Sequence, residues 1–142
     1  MPDVSLPAIL RHAQHSALPL TVSLQGGLVR ELLVRSVGDS WFSAHEKSAL
    51  GGEFVISLRA VHMIVGHRVE PAPESSGSST VPLHAMLLQL ERQRTLVIVH
   101  LPELSVAGRI GDVGVDFLTV SKTETTQVLI PLARFLWLEA CG

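Results

Sequence analysis

Apolar positions along this chain change period in a fixed order, and the order occurs twice. Residues 5 to 16, SLPAILRHAQHS, place Leu6, Ile9, Leu10 and Ala13 at helical spacing. Ser5 is available as an N-cap, and Pro7 falls in the first turn, where its missing N–H does no harm. This predicts a short amphipathic helix. Leu20, Val22 and Leu24 then alternate with Thr21, Ser23 and Gln25, the period of a half-buried strand, and Gln25-Gly26-Gly27 supplies a hairpin turn. Leu28 to Val37 reads as a longer strand that stops at Gly38-Asp39, and Trp41 to Ala44 starts another. His45 to Gly52 is charged and carries a Gly-Gly pair, the composition of a loop. Phe54 to Leu58 and Val61 to Val65 follow as strands joined by a tight corner.

From Val81 the order returns: a helix to Arg92, a strand from Leu96 to Leu101, a turn at Pro102-Glu103, then strands at Leu104 to Val113, Phe117 to Val120, Gln127 to Ile130 and Phe135 to Glu139. The two copies align by hand. Leu6, Ala8, Leu10, Val22 and Leu24 meet Leu83, Ala85, Leu87, Val99 and Leu101. Val37-Gly38 and Trp41 meet Val113-Gly114 and Phe117, and Ile56, Leu58, Val61 and Ile64 meet Ile130, Leu132, Phe135 and Leu138. The offset drifts only where loops are expected, because insertions accumulate between elements. The expected architecture is mainly β: two tandem small barrels, each an N-terminal helix plus five bent antiparallel strands. Residues 1–69 form the first and 81–142 the second. Glu70 to Thr80, EPAPESSGSST, has the composition of a flexible linker.

Composition adds a reason for assembly. Either half of a 142-residue chain has a marginal core alone, yet 46% of residues are hydrophobic and the mean hydropathy is +0.37. Packing of the halves on each other, or oligomerisation, is the expected outlet for that surface. No apolar run is long enough to span a bilayer, and MPDVSLPAIL lacks the basic flank of a signal peptide, so a cytoplasmic protein without a membrane partner is expected. The single cysteine, Cys141, has no partner for an intramolecular disulfide. The net charge of −2 is spread evenly, without the basic face or tail of a protein held by phosphates. DNA is further disfavoured as a partner because Leu83 to Arg92 is too apolar for a recognition helix.

The second copy carries Gly108-Arg109-Ile110, Val113 through Phe117, and Ile130-Pro131-Leu132 leading to Phe135 and Leu138. With the short helix and five strands, these resemble the Sm-like fold, as found in Sm, LSm and Hfq-type proteins, and the tandem arrangement is similar to an uncharacterised bacterial group of such proteins. The first copy departs from the pattern, with Leu32 for Gly108, Asp39-Ser40 for Val115-Asp116 and Ser57 for Pro131. The resemblance implies ring assembly through edge strands, and RNA contacts after the third strand and at the corner between the fourth and fifth. Carried over, the RNA contacts fall on Ser43 and Arg59 in the first copy and on Thr119 and Arg134 in the second. The assembly edges fall on Val55 and Met63, and on Leu129 and Trp137. After Phe117 the usual asparagine is missing, and Pro131-Leu132 stands at the corner in place of polar RNA-binding residues.

No catalytic constellation accompanies these features. Asp116 has no second carboxylate or nucleophile beside it and reads as a turn residue. Seven histidines are scattered over helices, strands and loops, so no metal site is expected; His12 and His15 share a helical face without a third ligand. No phosphate-loop or dinucleotide motif is present, and no cofactor is expected. The sequence therefore points to a non-enzymatic assembly or binding module that contacts copies of itself or a protein partner. Sm-type RNA binding is the alternative.

Overall fold

The protein is seen in a computed structural model that describes residues 5–46, 52–66 and 81–141. The proposed linker lies outside the described residues. The chain is mainly β. The first repeat runs α1 (Leu6–Ser16), β1 (Leu20–Leu24), β2 (Val29–Val37), β3 (Trp41–Glu46), β4 (Glu53–Ser57) and β5 (Val61–Gly66). The second runs α2 (Leu83–Gln93), β6 (Leu96–His100), β7 (Ser105–Val113), β8 (Phe117–Ser121), β9 (Gln127–Pro131) and β10 (Trp137–Cys141).

All ten strands belong to one antiparallel sheet, in the order β5-β1-β2-β3-β4-β10-β6-β7-β8-β9. The strands were expected in two separate barrels; instead β4 pairs with β10, and no pairing among the described residues closes either half on itself. Within that sheet the repeat persists in register. Leu20 faces Leu32 as Val97 faces Gly108, Val22 faces Ile64 as Val99 faces Leu138, and Trp41 faces Ser57 as Phe117 faces Pro131. The register shift between Val34 and Ser36 recurs between Ile110 and Val113, a bulge kept in both copies.

Local chemistry explains the turns. Ser5 caps α1 by accepting a hydrogen bond from the Ala8 N–H at 3.3 Å. Both helices end at a non-glycine residue in the left-handed region, Ala17 and Arg94, again equivalent positions. Gly26 and Gly27, at φ +98° and +87°, make the β1–β2 hairpin with a backbone that a Cβ would strain. Gly38 and Gly114 are small for another reason: a Cβ there would run into the ring of Trp41 or Phe117 three residues on. In both places the glycine N–H donates to that aromatic residue's carbonyl at 2.8 Å. The Val-Gly-x-x-aromatic signature is thus a turn folded under its own ring.

Two boundaries differ from expectation. Gly111 to Val113 lie inside β7 at the bulge instead of forming a bend between strands. The last strand starts at Trp137 instead of Phe135, because Arg134 and Phe135 donate their N–H groups to Pro131 and Leu132 in a turn.

Candidate assembly interface

The joint between the repeats is a β-sheet pairing. Ile56 faces Trp137, Val55 faces Leu138, Phe54 faces Glu139 and Glu53 faces Ala140. The Ser57 N–H donates to the Leu136 carbonyl at 2.8 Å, so the Ile56–Trp137 pair lies between ladder bonds, where opposed side chains are closest. Side chains cross this joint in both directions. Leu136 and Trp137 belong to the core of the first repeat, with Leu10, Val22, Phe42 and Ile56. Trp41 and Val55 belong to the core of the second, with Leu87, Val99, Leu118 and Phe135. Trp41 is anchored there by its indole N–H, which donates to the Val81 carbonyl at 2.8 Å.

Arg59 pins the corner. It sits in a single 3-10 turn, Leu58–Ala60, and its Nη2 donates to the Leu132 and Phe135 carbonyls at 2.7 and 2.6 Å. A charged donor on two main-chain acceptors of the other repeat is a clamp on the joint.

Two strand edges remain free, β5 and β9. Their residues are the equivalents of those in the joint, and their exposure is reversed. Val55 is 1% exposed and its equivalent Leu129 is 61% exposed; Trp137 is 5% exposed and its equivalent Met63 is 56%. Val65, also on β5, is 54% exposed. Of the residues expected at assembly edges, Val55 and Trp137 therefore serve the joint inside the chain, and Met63 and Leu129 mark the open ends.

The residues expected to contact RNA are dispersed. Ser43 is buried, with its hydroxyl hydrogen-bonded to that of Ser36, and buried Thr119 accepts from the Asp112 N–H at 2.8 Å. Both hydroxyls support the bulge between the second and third strands of their repeat. Arg134 is exposed, and Arg59 lines a cleft of about 520 Å³ with Ser40, Ser57 and His84.

On the far side of the joint, the His100 ring stacks on Trp137 with centroids 3.7 Å apart, and Phe54 meets the same indole at 5.6 Å. His100 Nε2 is buried without a hydrogen-bond partner. Desolvation by burial lowers the imidazole pKa below its ordinary 6.5. Among the described residues no group of three or more His, Cys, Asp or Glu side chains comes together to hold a metal ion. No helix among them is long and apolar enough to cross a membrane.

The hand alignment pairs Trp41 with Phe117 and Arg59 with Ala133, but it carries no signal for which core Trp41 enters. The role of His100 was equally hidden, since its equivalent in the first repeat is Ser23. Comparison of the chain with family models, with curated proteins and with solved structures finds no match in any of the three.

Proposed function

We propose that this protein is a non-enzymatic assembly module, built from two Sm-like half-barrels, that joins protein strands through its free edges β5 and β9. The observation that carries this reading is the β4–β10 joint: the chain already uses one such edge pairing internally and leaves the equivalent pair open. Unpaired main-chain groups flanked by exposed Met63, Val65 and Leu129 favour addition of another strand. The two separate cores, each with its own helix and five strands, support the half-barrel description. The test is mass in solution against concentration. Assembly predicts species heavier than the 15.3 kDa chain at micromolar concentration. A chain that stays at that mass at high micromolar concentration, and captures no protein strand, overturns the reading.

One observation supports RNA binding as a second reading. The cleft that holds Ser40, Arg59 and His84 lies at the corner between the fourth and fifth strands, where the Sm resemblance places RNA contacts. Binding of a uridine-rich and an adenine-rich oligonucleotide, each at two salt concentrations, separates the readings: a contact that weakens as salt rises supports RNA, and no binding at low salt removes it.

A further inference from the structure

We infer that the occupant of the free edges is a second copy of this chain, docked head to tail with its β5 on β9 of the first, in the register of the internal β4–β10 joint but without its arginine clamp. This rests on the assembly reading above and specifies its partner, orientation and register.

The sheet order is directional. Each repeat runs from its fifth strand to its fourth, and the internal joint connects the fourth strand of one repeat to the fifth of the next. The chain therefore ends in a free fifth strand on one side and a free fourth strand on the other. Such ends complement each other and not themselves, the mark of a heterologous contact. The identical registers of the two repeats then fix the pairing. Ile56 opposite Trp137 becomes Ile130 opposite Met63; Val55 opposite Leu138 becomes Leu129 opposite Ile64; Phe54 opposite Glu139 becomes Val128 opposite Val65. Every side chain in the copied register is apolar.

The reversed exposures follow from this arrangement. Val55 is sealed because it enters the core of the next repeat, and Leu129 is open because the next repeat belongs to another molecule. Met63 relates to Trp137 in the same way, and half-buried Phe117 to buried Trp41. The copied joint is weaker than the original in two places. Position 133, equivalent to Arg59, is an exposed alanine and cannot reach the carbonyls of the next chain. His62 stands where Leu136 is buried in the internal joint. The internal joint is accordingly permanent and the joint between chains reversible.

Cysteine cross-linking tests the register. In a Cys141→Ser background, Val65→Cys and Val128→Cys are opposed between ladder bonds, with the close Cβ spacing a disulfide needs. Oxidation of the double variant should give a ladder of covalent oligomers, and mixing the two single variants should give dimers containing one of each. Dimers of either single variant alone, or equal cross-linking of the displaced pair Val65→Cys with Ile130→Cys, overturn the head-to-tail register while leaving assembly itself intact. A chain that never exceeds monomer mass overturns both. Ala133→Arg tests the missing clamp. It should tighten association about tenfold, the effect of a charge-assisted hydrogen bond to main-chain oxygen. Unchanged or weaker association of Ala133→Arg overturns the clamp.

Discussion

The Arg59 guanidinium reaches across the joint to the Phe135 carbonyl, 2.6 Å away, and with a second bond to Leu132 it ties the corner of the first repeat to that of the second. Arg59→Ala removes both bonds and leaves the acceptors to water. Because the side chain is exposed, solvent screening trims the loss to about 1–2 kcal/mol, below the range for buried charge-assisted bonds. Urea unfolding should show a lower midpoint, and Arg59→Lys should recover little, since one ammonium reproduces the forked geometry poorly. A midpoint unmoved by Arg59→Ala would show that the joint holds without the clamp.

Leu129→Lys or Met63→Lys should lower the solution mass to that of a single chain while changing the stability of the isolated chain by no more than about 0.5 kcal/mol, as for other surface changes. Val55→Lys places the same ammonium at the equivalent of Leu129, but inside the second core, and should unfold the chain. Sedimentation read together with thermal melting checks the contrast. Loss of assembly with simultaneous unfolding in Leu129→Lys would place that residue in the fold itself.

How much of this was legible in the sequence depends on the kind of interaction. The helices and strands followed from period, capping and turn chemistry. Leu6 to Ala13, Leu20 to Leu24 and the Gly26-Gly27 hairpin are local signals, and they fall within a residue or two of the observed elements. The duplication was legible for the same reason. The exchange of Trp41 and Trp137 between cores was not, because an apolar side chain looks alike whichever core receives it. Nor could composition show that Ser43 and Thr119 turn inward: a hydroxyl facing a bulge and one facing solvent have the same sequence. Val55 and Leu129 make the limit plain. They are equivalent in pattern, and only the pairing order separates joint from open edge.

His100 should make stability depend on pH near neutrality. Burial lowers its pKa in the fold below the ordinary 6.5, so on acidification the unfolded chain takes up a proton that the folded imidazole resists. Stability is then fully present above the ordinary histidine range, falls as pH drops from about 7 toward the lowered value, and levels off beneath it. His100→Phe keeps a ring against Trp137 and removes the titration. Unfolding curves at pH 7.5 and 5.5 should differ less for His100→Phe than for the parent. Equal differences would assign the pH dependence to other groups.

Gly38 and Gly114 occupy equivalent turns, yet their substitution by alanine should not cost the same. In both, the added methyl meets the aromatic ring folded over the turn. The half-buried Phe117 ring can swing outward, so Gly114→Ala should cost about 1 kcal/mol. Trp41 has no such freedom: it is buried in the core of the other repeat and held by its bond to the Val81 carbonyl. Gly38→Ala must displace that indole or the turn beneath it, and should cost about 3 kcal/mol, the upper range for overpacking. Gly26→Ala separates space from backbone conformation, since nothing lies near its Cβ but its φ is +98°. It should cost about 1 kcal/mol through strain alone. Denaturant midpoints of the three variants, with tryptophan fluorescence as the probe, give the ranking. Equal losses for Gly38→Ala and Gly114→Ala would mean that Trp41 is no more tightly held at the joint than Phe117 is at the free end.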